Sequence, residues 1–287
     1  MPGTLFLVAT PIGNLEDMTI RGLRVLKQAD LVAAEDTRHT AKLLSHYGIT
    51  TRTTSLHAHN ERQRVPQLLD QVEAGRAVAV VTDAGMPAIS DPGYLIVREA
   101  IARGLPVEVI PGASALTVAV AGSGLPSEIV TFLGFPPSRS GERKRWFRQH
   151  GEKAPGTLVF YESPLRLRQS LEDLLEILGD RQAVVVRELT KVHESWHRDP
   201  LSELVQKVDR GEIPSKGEIV ILVSDQTITP SETRGPVSGD LIFAEFGQMT
   251  TNMGFTRREA LAELSARYSL SKRAVYSMIE DAKKLAE

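Results

Sequence analysis

The chain has 287 residues, of which 41% are hydrophobic and 24% charged, and a formal net charge of −2. That length favours two or more domains over a single core, and the near-neutral balance leaves any nucleic-acid contact to local basic patches. The absence of cysteine excludes disulfides and thiolate metal sites and fits a cytoplasmic protein.

Residues 4–8 (TLFLV) predict a first buried strand, ending at Ala9-Thr10-Pro11-Ile12-Gly13-Asn14-Leu15. A helix over 19–28 follows, with Thr19 as its N-cap. Residues 31–34 predict a second strand, ending at Glu35-Asp36-Thr37-Arg38, and helix 38–47 stops at Gly48. A strand over 51–56 carries His57 and His59 at its exit. Helix 61–74 leads to the apolar run Ala77 to Val81, which reads as a strand buried on both faces. Helix 94–103, strand 107–110 and helix 115–122 complete the series. Such strict βα alternation predicts a parallel sheet with helices on both faces.

Gly122-Ser123-Gly124-Leu125-Pro126 breaks the alternation and divides residues 1–122 from a second α/β unit, 123–225. In that unit strands are expected at 130–134, 157–161, 182–187, 192–197 and 218–223. Helices are expected at 140–149, 165–178 and 200–210. The close strand spacing predicts a mixed sheet. Residues 224–236 read as a polar linker. Residues 237–287 read as a helical extension, with helices from Arg257 to Ala266 and from Ser271 to Leu285, a spacing that a helix-turn-helix shares with any helical hairpin. No apolar run approaches the roughly 20 residues that span a bilayer, and Met1-Pro2-Gly3-Thr4 lacks the basic start of a signal peptide.

The segment 77–93, AVAVVTDAGMPAISDPG, is the strongest site candidate. In open α/β sheets, ligands bind outside the carboxyl ends of the strands, which is where Asp83 and Gly85 fall. An ordinary βα turn capped by Asp reads the same way. Gly13 and Glu35 imitate a dinucleotide fingerprint, but the first turn holds one glycine where three are needed. Glu35, Asp36 and Arg38 crowd one strand end, either as a substrate cluster or as a helix cap with a solvated arginine. His57 and His59 alternate, so a persisting strand would point them to opposite faces, and no metal site is expected.

Two basic segments stand out. In 139–153, Arg139, Arg143, Lys144, Arg145, Arg148 and Lys153 surround Trp146 and Phe147, against Glu142 and Glu152. Cations interleaved with aromatics suit phosphate contact and base stacking. A solvated helix face with inward aromatics is the other reading. Lys272 and Arg273 open the last helix, where either RNA contact or dimerisation fits.

Taken together, ATPIGNLEDMTIRGLRVL, AEDTR, VTDAGMPAISDPG, VIPGASA, LGFPP, FYESPLRL and KGEIVILV resemble the tetrapyrrole methylase superfamily. They are most similar to its ribosomal branch, the 16S rRNA cytidine 2′-O-methyltransferases. The resemblance runs from about residue 5 to residue 223. It implies two α/β domains with S-adenosyl-L-methionine in the cleft between them, a homodimer, and 16S rRNA or the small ribosomal subunit as partner. Asp83, Ala84, Gly85, Met86 and Ile89 match the loop holding the cofactor's methionine and ribose portions. Gly112, Ala113, Ser114 and Ala115 match the turn against which the cofactor packs. Phe160 and Tyr161 match the strand on the adenine side, and Leu189 and the Glu218-Ile219-Val220 strand are further matches. Small-molecule relatives show Gly-Asp-Pro where this chain has Thr82-Asp83-Ala84, which argues against a porphyrin substrate.

Methyl transfer to a ribose hydroxyl needs alignment and a base within reach. Glu35, Asp36 and His57 are the candidates, and Arg38 could hold a phosphate. A small-molecule methylase and a non-catalytic RNA-binding module remain the alternatives.

Overall fold

The computed structural model describes residues 2–227, 239–251, 255–268 and 270–286. The chain divides into two compact units, Met1–Thr227 and Ile228–Glu287.

In the first unit the chain runs β1 (Leu5–Val8), α1 (Ile20–Gln28), β2 (Leu31–Ala34), α2 (Thr37–His46), β3 (Thr53–Ser55), α3 (Glu61–Glu73), β4 (Val78–Val81), α4 (Tyr94–Ala102), β5 (Val107–Ile110) and α5 (Ala115–Ser123). Local chemistry sets the helix starts. The Thr19 hydroxyl accepts the Gly22 N–H at 3.0 Å, and the Asp36 carboxylate accepts the Arg38 N–H at 2.8 Å, each satisfying an amide the helix leaves orphaned. The strands form an all-parallel sheet of order β3-β2-β4-β1-β5. Side chains alternate across it. Val78 and Val80 pack with Leu68, Leu69 and Ile96 on the α3/α4 face, while Ala79 and Val81 pack with Val25, Leu26 and Leu44 on the α1/α2 face. Both faces are covered, as the uninterrupted apolar run requires.

The chain continues through β6 (Val130–Phe132), α6 (Ser140–His150), β7 (Thr157–Glu162), α7 (Leu167–Leu178), β8 (Arg181–Arg187), β9 (Ser195–Pro200), α8 (Leu201–Asp209) and β10 (Ile219–Thr227). The second sheet has order β6-β7-β10-β8-β9. The β6–β7 pair is parallel and the other pairs antiparallel, so it is mixed, as the spacing suggested. One face, with Leu158, Phe160, Val185 and Ile221, packs on α6, α7 and α8. The other, with Val159, Tyr161, Val186 and Val220, packs on Ile12 and α5. Burying one such large side chain contributes about 1.5–3 kcal/mol.

Two boundaries differ from expectation. Residues 224–227, read as linker, continue β10 as ladder-paired strand; the rest of that linker lies outside the described residues. Among its described residues the second unit contains three helices: α9 (Gly239–Thr251), α10 (Arg257–Arg267) and α11 (Lys272–Ala286). The sequence reading had two, because the glycines and small residues of α9 weaken its helical pattern. They share a core of Ile242, Met249, Ala260, Leu264, Val275 and Ile279. A capping box starts α10: Thr256 and Glu259 exchange side-chain-to-backbone hydrogen bonds at 2.9 and 3.3 Å.

Candidate active site

The exits of β1 and β4 are joined by a reciprocal bridge. The Thr10 N–H donates to the Gly85 carbonyl at 2.9 Å and the Gly85 N–H donates back at 3.1 Å. The Thr10 hydroxyl also donates to the Thr82 carbonyl at 3.1 Å. Gly85 has φ +81°, and a Cβ there would lie 3.4 Å from Ile12 Cγ2. Left-handed backbone with an apolar neighbour is a position for glycine.

Beside this bridge a cavity of about 460 Å³ lies between the strand ends of the first sheet and the second sheet. Asp83, Ala84, Gly85, Met86, Ile89, Ser114, Ala115, Tyr161, Leu189 and Ile219 line it, as does Glu35. Ala113 packs beside them. Gly112 does a different job: a Cβ there would stand 2.8 Å from Ala9 Cβ, so it lets two loops pass. Phe160 is a correction. Strand alternation turns it away from Tyr161 and into the helix-covered core, fully buried with its ring 5.5 Å from Phe147. Tyr161 faces the cavity, stacked at an angle on Phe132 and Phe135, and burial raises the pKa of its hydroxyl. On the opposite rim Gly13 meets the Leu189–Lys191 turn. A Cβ on Gly13 would stand 2.7 Å from Thr190 Oγ1 and 2.8 Å from the Leu189 carbonyl.

The cavity is acidic. Burial raises the Glu35 pKa against the opposing hydrogen bond from the Asp83 amide, with the Asp83 charge raising it further. Asp91 is pushed up to about 7 by burial and then by the charges of Glu35 and Asp83. Asp36 goes the other way: Arg38 bonds it at 2.8 Å and holds it well below the usual carboxylate range. Asp36 therefore caps α2 and Arg38 lies solvated beside it, 88% exposed. Asp36 does not line the cavity, and its carboxylate is engaged by the Arg38 amide and guanidinium, which sets it apart from Glu35.

His57 does not line the cavity. β3 stops at Ser55, so the two histidines do not alternate across a strand; they sit in a turn with ring centroids 6.0 Å apart. The His57 Nδ1 is buried without a hydrogen-bond partner among the described residues, and its charge lowers the Glu35 pKa. Among the described residues no group of three or more His, Cys, Asp or Glu could hold a metal ion.

Residues 4–205 match the family described as Tetrapyrrole (Corrin/Porphyrin) Methylases. The chain belongs to this family. It is 43% identical over 278 residues to the ribosomal RNA small subunit methyltransferase I of Halalkalibacterium halodurans, covering 96% of this chain and 94% of that protein. It is 46% identical over 220 residues to the protein of the same name in Vibrio cholerae, covering 76% of each. Among solved structures, uroporphyrin-III C-methyltransferase from Thermus thermophilus complexed with S-adenosylhomocysteine aligns with a TM-score of 0.55 at 20% identity, over 78% of this chain and 98% of that one. That likeness confirms the two-sheet family fold.

Several cavity residues went unnoticed in the sequence: Ser90, Asp91, Phe135, Glu162 and Arg166. Each stands inside a quoted motif, but only tertiary structure shows which members face the cavity.

The basic segment on α6 is largely committed internally. Arg143 is fully buried, its Nε donating to Asp173 at 2.7 Å and its guanidinium to the Ser138 carbonyl at 3.0 Å. It cannot reach RNA, which corrects the sequence reading. Lys144 pairs with Glu176, and Trp146 packs against the sheet core. Arg139, Arg145 and Arg148 are exposed, as are Lys272 and Arg273 at the start of α11. Among the described residues no helix is long and apolar enough to cross a membrane.

Proposed function

We propose that this chain transfers a methyl group from S-adenosyl-L-methionine to the 2′-hydroxyl of a cytidine ribose in 16S ribosomal RNA. The observation that carries the reading is the near full-length match to ribosomal RNA small subunit methyltransferase I. The cavity fits the cofactor's chemistry. When bound, that cofactor supplies an activated methyl group on a cationic sulfur. Glu35, Asp83 and Asp91 give the cavity negative charge suited to a sulfonium and an ammonium. Ile12, Ile89, Tyr161 and Leu189 give it apolar walls suited to adenine.

In this reading the sheets of 1–122 and 123–225 are two halves that close on the cofactor, and their task is to hold the ribose hydroxyl in line with the methyl carbon. Alignment of that kind lowers a barrier by several kcal/mol. Arg38, exposed at the start of α2, would hold a phosphate. Arg139, Arg145, Arg148, Lys272 and Arg273 would add phosphate contacts. The protein would act in the cytoplasm as a homodimer.

The test is incubation with methyl-labelled cofactor and, separately, small ribosomal subunits, naked 16S rRNA and a porphyrin precursor, followed by nucleoside mass spectrometry. Label in a ribose-methylated cytidine supports the reading. Label in the porphyrin makes the protein a small-molecule methylase, and binding of RNA without label makes it a binding module.

A further inference from the structure

Five carboxylates line the cavity: Glu35, Asp83, Asp91, Glu162 and Glu218. Four are already engaged. Glu35 accepts the Asp83 N–H at 3.4 Å, and Asp83 accepts the Asp36 N–H at 3.2 Å. Glu162 is fully enclosed, bonded to Ser170 and ion-paired with Arg166 at 2.7 Å. Glu218 pairs with Lys191 at 3.3 Å. Among the described residues, no donor or cation engages the side chain of Asp91.

The loop that carries Asp91 is held shut. The Ala88 N–H donates to the Pro92 carbonyl at 3.1 Å. Ala88 and Ser90 adopt φ +68° and +63°, a left-handed backbone that non-glycine residues enter at a cost. The Glu61 carboxylate accepts the Gly93 and Leu95 amides at 3.0 and 3.3 Å and pins the far end of the loop to α3. A side chain presented by so constrained a backbone is placed before any substrate arrives.

We propose that Asp91 is the proton acceptor of the methyl transfer, a role resting on the function proposed above. Asp91 takes the hydroxyl proton onto its carboxylate. The freed oxygen pair forms the bond to the methyl carbon, and the carbon–sulfur pair leaves with sulfur. The product is a ribose methyl ether, with the proton on Asp91. The titratable groups facing Asp91 are Glu35 at the end of β2, Asp83 at the end of β4 and Tyr161 on β7. Glu162, Arg166 and Glu218 occupy the rest of the lining. The two near carboxylates favour the protonated acid, and a base poised near neutrality takes protons best at ordinary pH.

Two measurements decide it. The first is carbon-13 NMR of the protein labelled at aspartate carboxyls, without cofactor or RNA. One resonance should titrate near neutral pH, vanish in Asp91→Asn and move to lower pH in Glu35→Gln. The second is the pH profile of kcat/KM on small ribosomal subunits. Asp91→Asn should lower kcat about a hundredfold or more, with loss of the acidic limb, and Asp91→Glu should restore part of that limb. A wild-type profile in folded Asp91→Asn overturns the proposal. Should Asp91→Asn fail to fold, an aspartate spectrum with no resonance titrating near neutrality overturns it instead. If the wild type leaves RNA unmethylated while the resonance titrates as described, the functional reading has failed, and Asp91 loses its role with it.

Discussion

The Asp36 backbone amide donates to the Asp83 carboxylate at 3.2 Å, while the Asp83 amide donates to Glu35 at 3.4 Å. Neighbouring strand ends β2 and β4 are thereby clasped through acidic side chains and main-chain amides. Asp83→Ala leaves the Asp36 amide without its acceptor and should cost about 1–3 kcal/mol. Asp83→Asn keeps an acceptor oxygen and should stay within about 0.5 kcal/mol of wild type. Urea denaturation of the two variants distinguishes an acceptor role from a charge role.

Gly85→Val should abolish cofactor binding and also weaken the fold. At φ +81° a β-branched residue is strained, a cost of about 1–3 kcal/mol, and its added methyl groups project beside Ile12 into the cavity wall. Thermal unfolding and calorimetric titration of the same sample check both halves. Unchanged affinity for S-adenosyl-L-methionine would move the cofactor away from the β4 exit.

Asp91 also makes stability depend on pH. Its folded pKa, about 7, lies above the ordinary 3.8. Between those values the folded protein holds a proton that the unfolded chain has lost, so stability falls as pH rises through this window. The whole penalty is present above about pH 7. Asp91→Asn should therefore be more stable than wild type at pH 8, by about 1–2 kcal/mol once solvent screening at a half-buried site is allowed for. The gap should close on titration toward pH 4, as read by denaturant midpoints.

Arg143→Ala should act on folding and leave RNA contacts alone. It strands the buried Asp173 carboxylate, which typically costs 3–5 kcal/mol. Changing Arg139, Arg145 and Arg148 together to alanine should leave stability nearly unchanged and reduce the salt dependence of RNA binding, by up to about 0.7–0.9 per lost phosphate contact. Lys272→Ala with Arg273→Ala should do the same to a smaller extent. Filter binding across a salt series gives the slopes.

The βα alternation could be read from the first residue to α5 because each buried strand is a short apolar run bounded by turn residues, and that signal is local. The carboxyl-end rule placed Asp83 and Gly85 correctly at the rim for the same reason. What escaped depends on partners distant in sequence. Arg143 looks like a surface cation until Asp173, thirty residues on and on another helix, is seen beside it. Phe160 and Tyr161 differ by one residue, yet strand alternation sends one to the core and one to the cavity. Asp91 reads as a turn residue in Ser90-Asp91-Pro92-Gly93; its chemistry comes from burial beside Glu35 and Asp83, which are remote in the chain.

Gly13 meets the Leu189–Lys191 turn with no space for even one methyl group. The Lys191 and Thr190 side chains would stand 2.5 and 2.7 Å from such a methyl carbon and could turn aside, whereas the Leu189 carbonyl, at 2.8 Å, is backbone and yields only if the turn moves. An alanine at position 13 would be a shim. It would prop the rim open by the thickness of a methyl group and enlarge the cleft it borders without adding anything to the cavity itself.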